Sequence, residues 1–470
     1  MTLEQEAQRV RRLPHLYSDG EIGHMSFPTV TVIGAGLAGC EAALQLAARG
    51  VPVRLIEMRP EHPTPVHKTG NVAELVCSNS LKSVDPETAA GSLKYELSAL
   101  GSRLLACAFD TRVAAGGALA VDRDEFSAAV QRLIDASPNI ELVREECTSI
   151  PDGPAIIATG PLTADALASQ LADELGSQGL AFYDAAAPIV EADSLDRSVI
   201  FAQSRYDKGD TADYLNAPMN REEYEAFVDE LVNAGRVIEK DFERRELFAA
   251  CQPVEEVART GRDALSHGAL KPVGLTDPRT GKRPWAAVQL RAENAAATAY
   301  NLVGFQTNLR FGEQERVFRM IPGLENAEFS RFGVMHRNTF VDTPHVLTKA
   351  LAIPSRPEVH LAGQLTGTEG YLEAVASGLF VALAVYAELA GLAEPVLPRE
   401  SLFGCLLAYA TDPGTADYQP MHVNYGIIDP IEPKIRNKRE RKAAYAARAH
   451  AAIDDFVAGR PDLFDGAPQS

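Results

Sequence analysis

Two cysteine motifs hold the residues best suited to covalent chemistry. Cys77 begins the polar sequence CSNS and lies close to Lys82, whose ammonium group favours a nucleophilic thiolate. Cys251 lies in a comparable segment, AACQPVE. Each motif makes its thiol a candidate nucleophile, and the alternative is that each thiol is a small buried hydrophobic group. Cys40 falls within a predicted helix and is expected to be inert.

A glycine-rich turn predicts a dinucleotide site. A short apolar strand, Val30–Ile33, runs into GAGLAG, a helix from Cys40 to Arg49 follows, and a second strand, Val51–Ile56, ends at an acid. In such a unit the first glycine permits the turn, the second lets the backbone approach pyrophosphate, and the third allows close helix packing, while the acid accepts from ribose hydroxyls. The predicted cofactor-binding residues here are Gly34, Ala35, Gly36, Leu37, Ala38, Gly39, Glu57 and Arg59.

Two later strands also end in glycine turns, at Thr159-Gly160 and at Gly363-Gln364, and these four residues are further cofactor-binding candidates. An apolar helix from Leu372 to Leu389 comes next, and its N-terminus could face an anionic flavin edge or pyrophosphate. This layout resembles the glutathione-reductase-type FAD fold. The resemblance implies an α/β, Rossmann-like FAD-binding domain that is split in sequence and carries a smaller α+β insertion domain. The expected division is an N-terminal extension at 1–27, FAD-binding segments at 28–180 and 331–470, and an insertion at 181–330.

Composition narrows the class of protein. The chain has 470 residues, of which 46% are hydrophobic and 23% charged, as in globular proteins of about three domain-sized units. The longest charge-free apolar stretch, 374–387, is shorter than the ~18 residues that span a bilayer, and residues 1–27 lack a secretion signal, so a cytoplasmic protein without a membrane segment is expected. The six scattered cysteines predict neither disulfides nor a metal site. The net charge of −19 argues against indiscriminate nucleic-acid binding and leaves room for a local basic patch.

Taken together, these segments closely resemble the folate- and FAD-dependent tRNA (uracil-5-)-methyltransferases, the TrmFO family. Three differences from the family pattern are mild: Gln252, Ala114 and Ala374 replace an apolar residue, a proline and a serine, respectively. The matching motifs are VIGAGLAG at 32–39, EMRP at 57–60, AELVCSNSL at 73–81, AGGALAVDR at 115–123, CQPVE at 251–255, KPVGL at 271–275, WAAVQLR at 285–291, MHRNTF at 335–340 and GTEGY at 367–371.

The resemblance implies a reaction and its cofactors. It implies methylation of uridine C5 in tRNA, expected at position 54 of the T loop, with 5,10-methylenetetrahydrofolate as the carbon donor. FAD would relay the carbon and the reducing equivalents, and NADH or NADPH would reduce the flavin. By the same resemblance, Cys77 adds to C6 of the uracil and Cys251 is a second active-site thiol, although the two roles could be exchanged.

Further residues are assigned to folate and RNA through the matched motifs and local charge. Core packing or a turn is the alternative for the folate set, and a solvated helix face is the alternative for the C-terminal basic run. The partners expected are tRNA, folate and NAD(P)H, without DNA or membrane, and the chain is expected to be a monomer or weak homo-oligomer. The folate or substrate candidates are Trp285, Arg291, His336, Arg337, Glu369 and Tyr371, and the RNA candidates are Lys271, Lys282, Arg283, Lys434, Arg436, Lys438 and Arg439.

Three other functions fit parts of the sequence. The related MnmG (GidA) family shares the FAD fold and folate donor but modifies a wobble uridine, and it has a long C-terminal helical domain that this sequence lacks room for. A simple NAD(P)H-flavin oxidoreductase would explain the glycine motifs and leave both cysteine motifs unused. A flavin-holding scaffold without turnover is the third alternative.

Overall fold

The computed structural model describes most of the chain after the N-terminal segment. The described residues are 27–64, 66–176, 180–185, 187–205, 214–238, 252–294, 296–333, 335–415 and 418–464, with 180–185 and 335–339 described for the backbone only.

A six-stranded sheet forms the centre of the first layer. Its strands are short runs rich in Val, Ile and Leu, as expected for parallel strands that are covered on both faces. Neighbouring strands are parallel except at the edge, where Ala352–Ile353 pairs antiparallel with the next strand. Across the sheet the order is Ala352–Ile353, Arg356–Leu361, Ala155–Ile157, Val30–Ile33, Val53–Glu57 and Ile140–Arg144.

A second six-stranded sheet is antiparallel throughout and comes from the middle of the chain. Its order is Phe201–Ala202, Tyr214–Met219, Ala286–Ala292, Ala299–Leu302, Ile189–Glu191 and Phe329–Arg331. Two small antiparallel sheets complete the strands, one of Leu180–Ala185 with Met335–Phe340 and one of Ser80–Ser83, Ala118–Val121 and Arg112–Val113.

Helices cover the sheets. The α-helices are Leu37–Ala48, Ala89–Ala99, Arg103–Asp110, Arg123–Asp135, Asp165–Leu175, Arg221–Asn233, Val254–Arg259, Ala264–His267, Phe311–Phe318, Thr343–Val346, Tyr371–Leu389, Leu402–Thr411, Lys438–Gly459 and Pro461–Phe464. Short 3-10 turns occur at Gly160–Leu162, Ala192–Ser194 and Gly363–Thr366.

The apolar cores follow the two large sheets. One core combines side chains from 30–171 with others from 341–463, so distant parts of the chain share it. A separate core gathers side chains from 187–327 around the antiparallel sheet. The molecule therefore has two packed units, and the chain leaves the first unit and later returns to it.

Two close-packed helices bring the chain ends of the first unit together. The helix Tyr371–Leu389 crosses the helix Leu37–Ala48 so closely that a Cβ on Gly378 would lie 2.1 Å from the carbonyl oxygen of Ala38. Within the described residues, Tyr371–Leu389 is the one helix long and apolar enough to cross a membrane, yet 83% of its most apolar window is buried inside the protein. It packs as a core helix, and its N-terminus reaches the glycine-rich turn.

The predicted element bounds are close to the observed ones. The first helix begins at Leu37, three residues earlier than expected, because Gly36 is its N-cap and the turn continues directly into the helix. The second strand runs Val53–Glu57, so the acid at its end belongs to the strand. The late apolar helix starts at Tyr371.

Candidate active site

A cavity of about 400 Å³ lies at the carboxyl ends of the parallel strands. Ligands of open α/β sheets bind in this position, because the turns that follow the strands converge there. Of the predicted cofactor residues, those on the cavity wall are Gly34, Gly36, Leu37, Ala38, Glu57, Arg59, Thr159, Gly160, Gly363 and Gln364. Ala35 and Gly39 are buried and do not line the cavity.

Glycine is required at the three positions of the turn for different structural reasons. Gly34 has φ of +95°, and a Cβ there would lie 2.7 Å from the carbonyl oxygen of Ala158. A Cβ on Gly39 would lie 1.8 Å from the carbonyl oxygen of Gly34, so the helix packs directly on the turn. At Gly36 a Cβ would meet no protein atom within 4 Å. That glycine leaves free space on the cavity wall at the start of a helix, which suits a pyrophosphate group.

Glu57 ties the turn to the second strand. Its Oε2 accepts from the Ala35 amide at 2.9 Å, and its Oε1 accepts from the amide and Nε of Arg59 at 3.0 and 2.8 Å. Burial favours the neutral acid, but the hydrogen bonds and charge of Arg59 outweigh it and lower the pKa of Glu57. The carboxylate is therefore held ionised on the cavity wall, with accepting capacity left on Oε2 for a ribose hydroxyl.

Glu369, Gly370 and Tyr371 form another part of the cavity wall. The side-chain amide of Gln364 donates to Glu369 at 2.7 Å. One turn into the helix, buried Glu373 accepts from Lys82 Nζ at 3.0 Å. A helix N-terminus carries partial positive charge. This part of the wall therefore combines that positive charge with a balanced ion pair.

Cys77 lies on the wall of the same cavity, in a turn held by Tyr371. The Tyr371 hydroxyl accepts from two successive amides, Cys77 N at 2.8 Å and Ser78 N at 3.1 Å. Burial raises the pKa of Tyr371, and the neighbouring thiol raises it further, so the hydroxyl stays protonated. With two bonds accepted, its own O–H is still able to donate.

Three arginines hold the other side of this turn. Arg123 donates to the carbonyl oxygens of Leu75 and Cys77, and it pairs with Glu293. Arg291 donates to Ser78 Oγ at 2.6 Å and to Asn79 Oδ1 at 2.8 Å, and Arg331 donates to the carbonyl oxygen of Val76. Burial lowers the pKa of Arg123, but the charge of Glu293 outweighs it and the pKa is raised. The turn is thus fixed by cations from both packed units.

Several predicted residues lie outside the described part or are described incompletely. Cys251 is outside the described residues, and for His336 and Arg337 only the strand backbone is described. Val254, three residues after Cys251, is tied to the cavity wall. Its amide donates to the carbonyl oxygen of Gln306 at 2.7 Å, and Gln306 lines the cavity.

Other predicted residues lie away from the cavity wall. Trp285 is 42% exposed and packs under Arg221, whose guanidinium lies 5.1 Å from the ring centre. Arg291 supports the Cys77 turn from behind. The RNA candidates are surface residues in two places, Lys271, Lys282 and Arg283 beside the antiparallel sheet, and Lys434, Arg436, Lys438 and Arg439 at the start of the helix Lys438–Gly459.

The sequence analysis missed Arg123 and Arg331. Arg123 closes the motif AGGALAVDR, so its place in a motif was a signal, while its partners were hidden by the fold. Arg331 lies just before MHRNTF, and its contact with Val76 spans 255 positions.

Comparisons with known proteins identify the family and the fold of this chain. The family model for "Glucose inhibited division protein A" matches residues 29–393. A relative from Pelotomaculum thermopropionicum, named "Methylenetetrahydrofolate--tRNA-(uracil-5-)-methyltransferase TrmFO", is 53% identical over 92% of this chain and 99% of its own. One of the same name from Bacillus cereus is 50% identical over 92% of this chain and 100% of its own. The form I crystal structure of Aquifex aeolicus GidA superposes with a TM-score of 0.66 over 91% of this chain and 76% of that one, at 15% identity.

The parallel sheet, the glycine turn and the cavity define a Rossmann-like dinucleotide-binding protein with the GidA fold, and the predicted fold class is confirmed. Within that class, the chain belongs to the TrmFO family, as the motifs predicted.

Proposed function

We propose that this chain methylates C5 of uridine in tRNA, at position 54 of the T loop, using 5,10-methylenetetrahydrofolate, FAD and NAD(P)H. The observation that carries the proposal is that Cys77 and the glycine-rich turn lie on the wall of one cavity. A thiol and a dinucleotide cofactor can therefore meet one substrate. Family membership supplies the reaction, since relatives with the TrmFO name match nearly the whole chain.

The cavity residues fit FAD. Gly36 leaves open space at a helix N-terminus for pyrophosphate, and Glu57 presents a carboxylate for the ribose. The turns at Thr159-Gly160 and Gly363-Gln364 would hold the rest of the cofactor beside the helix N-terminus at Tyr371. When bound and reduced by NADH or NADPH, FAD supplies the relay for the carbon unit and the reducing equivalents that turn methylene into methyl.

The protein's own contribution is activation of the uracil. The Cys77 thiolate adds to C6, a C–S bond forms, and the C5=C6 electron pair moves to C5, which becomes the carbon nucleophile. After C5 has gained its carbon, a base removes the C5 proton, the electron pair reforms the double bond, and the thiolate leaves. We assign that proton transfer to Cys251, and the exchanged assignment is the alternative. Tyr371 and the three arginines keep Cys77 in place while these steps occur.

Folate and RNA are assigned to different surfaces. Glu369 and Tyr371 line the cavity, and His336 and Arg337 belong to the strand Met335–Phe340, which lies beside the turns Gly160–Leu162 and Gly363–Thr366, so we place the pterin near them. Trp285 is too exposed, and Arg291 too engaged with the Cys77 turn, to be our first choices for folate. The basic run at 434–439 and the cluster at 271–283 are candidate phosphate contacts.

The domain division and cellular setting follow from the same reading. We propose FAD-binding segments at 28–180 and 331–470 around an insertion at 181–330, which the two separate cores support. A cytoplasmic enzyme that acts on tRNA, binds neither DNA nor membrane, and works as a monomer or weak homo-oligomer fits this function.

The test is transfer of labelled carbon from methylenetetrahydrofolate to unmodified tRNA, with FAD and NAD(P)H present. We compare the wild type with C77A, C251A and C147A, because Cys147 is another thiol on the cavity wall and serves as the matched control. We expect label in 5-methyluridine at position 54 for the wild type and C147A, and none for C77A although FAD stays bound.

Other outcomes separate the alternatives. Label at a wobble uridine would favour the GidA-type reaction. Oxidation of NAD(P)H without any label in RNA would favour a simple oxidoreductase, and bound FAD without turnover would favour a scaffold. Loss of activity in C251A with a trapped Cys77–RNA adduct would assign the proton transfer to Cys251.

A further inference from the structure

Two cations, Lys68 and Arg331, lie in neighbouring segments beside the Cys77 turn. Lys68 Nζ lies 3.5 Å from the carbonyl oxygen of Ser330, and Arg331, the next residue, donates to Val76. In the described part of the chain neither side chain forms an ion pair with a carboxylate. The nearby acids Glu74 and Glu293 are engaged by Arg59 and Arg123.

Lys68 and Arg331 repel each other because both side chains are positively charged. Burial lowers the pKa of Lys68, the charges of Arg331 and Arg123 lower it further, and the charges of Glu74 and Glu293 offset only part of this decrease. Burial likewise lowers the pKa of Arg331, followed by the charge of Arg123. An anion placed between Lys68 and Arg331 would relieve this repulsion, and the exposure of Lys68 gives it access from solvent.

A stack of phenyl rings begins in the same segment. Phe329 stacks on Phe332 with ring centres 5.3 Å apart and planes 18° apart, and Phe332 stacks on Phe311 at 4.9 Å and 15°. Phe311 is 52% exposed to solvent. Its outer face is a flat apolar surface open to solvent.

This surface is rigid. Gln314 and Gly333 exchange two hydrogen bonds of 2.8 Å, which join the helix Phe311–Phe318 to the segment that carries Phe332. Exposed Arg310 precedes Phe311 and adds positive charge at the helix N-terminus. A preformed platform of this kind needs little ordering when a planar group binds.

We propose that Lys68, Arg331 and the Phe311–Phe332 stack form a binding subsite for one nucleotide of the tRNA next to the target uridine. The phosphate lies between Lys68 and Arg331, and the unpaired base stacks on Phe311. Single-stranded RNA is bound by this combination of cations and aromatic rings. Arg331 also donates to the carbonyl oxygen of Val76, the residue before Cys77, so the subsite is connected directly to the Cys77 turn.

The subsite lies outside the cavity, which favours RNA over folate. None of Lys68, Arg331, Phe311 and Phe332 is on the cavity wall, whereas folate must react inside it. The inference rests on the proposed function and names a contact surface for that substrate. The tail of folate also combines a ring with carboxylates, so folate binding at this subsite is the alternative that the experiment must distinguish.

Binding of a fluorescent T-arm RNA hairpin to the FAD-loaded protein tests the subsite without requiring turnover. The variants are K68E, F311A and the double variant, and the matched controls are K349E and V396A at exposed sites. For K68E we expect about tenfold weaker binding and a salt slope smaller by about one phosphate contact. For F311A we expect between about 5- and 100-fold weaker binding with the salt slope unchanged.

Steady-state kinetics distinguish an RNA subsite from a folate subsite. The inference predicts a higher KM for tRNA and an unchanged KM for methylenetetrahydrofolate in K68E and F311A. A change in the folate KM alone, or RNA binding equal to that of the controls, would overturn it. If the wild type itself neither binds nor methylates the RNA, the proposed function fails, and this result is distinct from failure of the subsite.

Discussion

Two turns meet at the cavity, and they are held in opposite ways. The glycine turn at 34–39 is shaped by its own backbone, with positive φ at Gly34 and contact between Gly39 and Gly34 across five residues. The Cys77 turn is shaped by side chains from elsewhere, since Tyr371, Arg291 and Arg331 reach it across 294, 213 and 255 positions.

This difference suggests that cofactor binding and the proposed methyl transfer depend on different parts of the structure. A turn that is held by local sterics needs only its own strand and helix, so it forms wherever that unit folds. A turn that is held by distant guanidiniums and a hydroxyl takes its final position only when both packed units have come together. We therefore expect cofactor binding to survive changes that abolish methyl transfer, and the following predictions test this.

The largest effect is expected at Gly39. Its Cβ would lie 1.8 Å from a backbone oxygen that cannot move aside, so G39A should prevent folding of the first unit. G36A is the matched variant, because its Cβ meets only open space: the protein should fold and lose FAD affinity. Soluble yield, thermal unfolding and the flavin absorbance of the purified proteins measure both. Equal behaviour of the two variants would contradict the separate roles of these glycines.

Arg123 should give the next largest effect. In R123Q two carbonyl groups of the Cys77 turn lose their donor and Glu293 is left buried without its partner, which costs about 3–5 kcal/mol of unfolding free energy. We expect methyl transfer to fall at least about 100-fold while FAD remains bound. R316Q removes a surface arginine with two acidic partners and is the control. Loss of FAD in R123Q in proportion to activity would contradict the comparison.

A smaller change is expected for Y371F. The variant keeps the ring and removes the acceptor of two amide hydrogen bonds, which should cost about 1–3 kcal/mol and loosen the Cys77 turn. Methyl transfer should fall by roughly tenfold or more, and alkylation of Cys77 by iodoacetamide should change in rate. Y409F, which loses a bond to the carbonyl oxygen of Gln419 and a longer one from the Gln419 amide, is the control. An unchanged alkylation rate would show that the hydroxyl does not hold the turn.

The smallest effect on activity is expected at Glu96, which spans 306 positions to cap the helix Leu402–Thr411 away from the cavity. Burial raises its pKa from 4.5 to about 7, and the amides of Phe403 and Leu402 offset part of that rise. The folded state therefore binds more protons, and the unfolding free energy falls as pH rises from 4.5 through 7, on the order of 3 kcal/mol from this group.

E96Q should remove that part of the pH dependence. Denaturant unfolding of both proteins at pH 5 and pH 8 should show a smaller decline for E96Q, with methyl transfer nearly unchanged at pH 8. A large loss of transfer in E96Q would mean that any long-range tie matters for activity, and the special position of the Cys77 turn would be lost.

Much of the first unit was predictable because its signals are local. The strand, glycine turn, helix and acid from Val30 to Glu57 follow from short-range periodicity and glycine sterics, and the observed bounds differ by at most three residues. The family motifs likewise identified Cys77 and Tyr371 before their contact was visible. The role of Tyr371 as the acceptor for the Cys77 turn was not predictable, because hydrogen bonds between distant residues leave no spacing pattern.

The sequence by itself determined the dinucleotide unit and the family, and it predicted a reacting thiol, since each rests on residues that are neighbours in the chain. Only the tertiary structure decided which cations surround that thiol. Arg123, Arg291 and Arg331 come from three separate elements, and Lys68 lies beside the segment that carries Arg331 and Phe332 through packing of the two units. Charge and stacking act through space, so their partners are chosen by the fold and not by the order of residues.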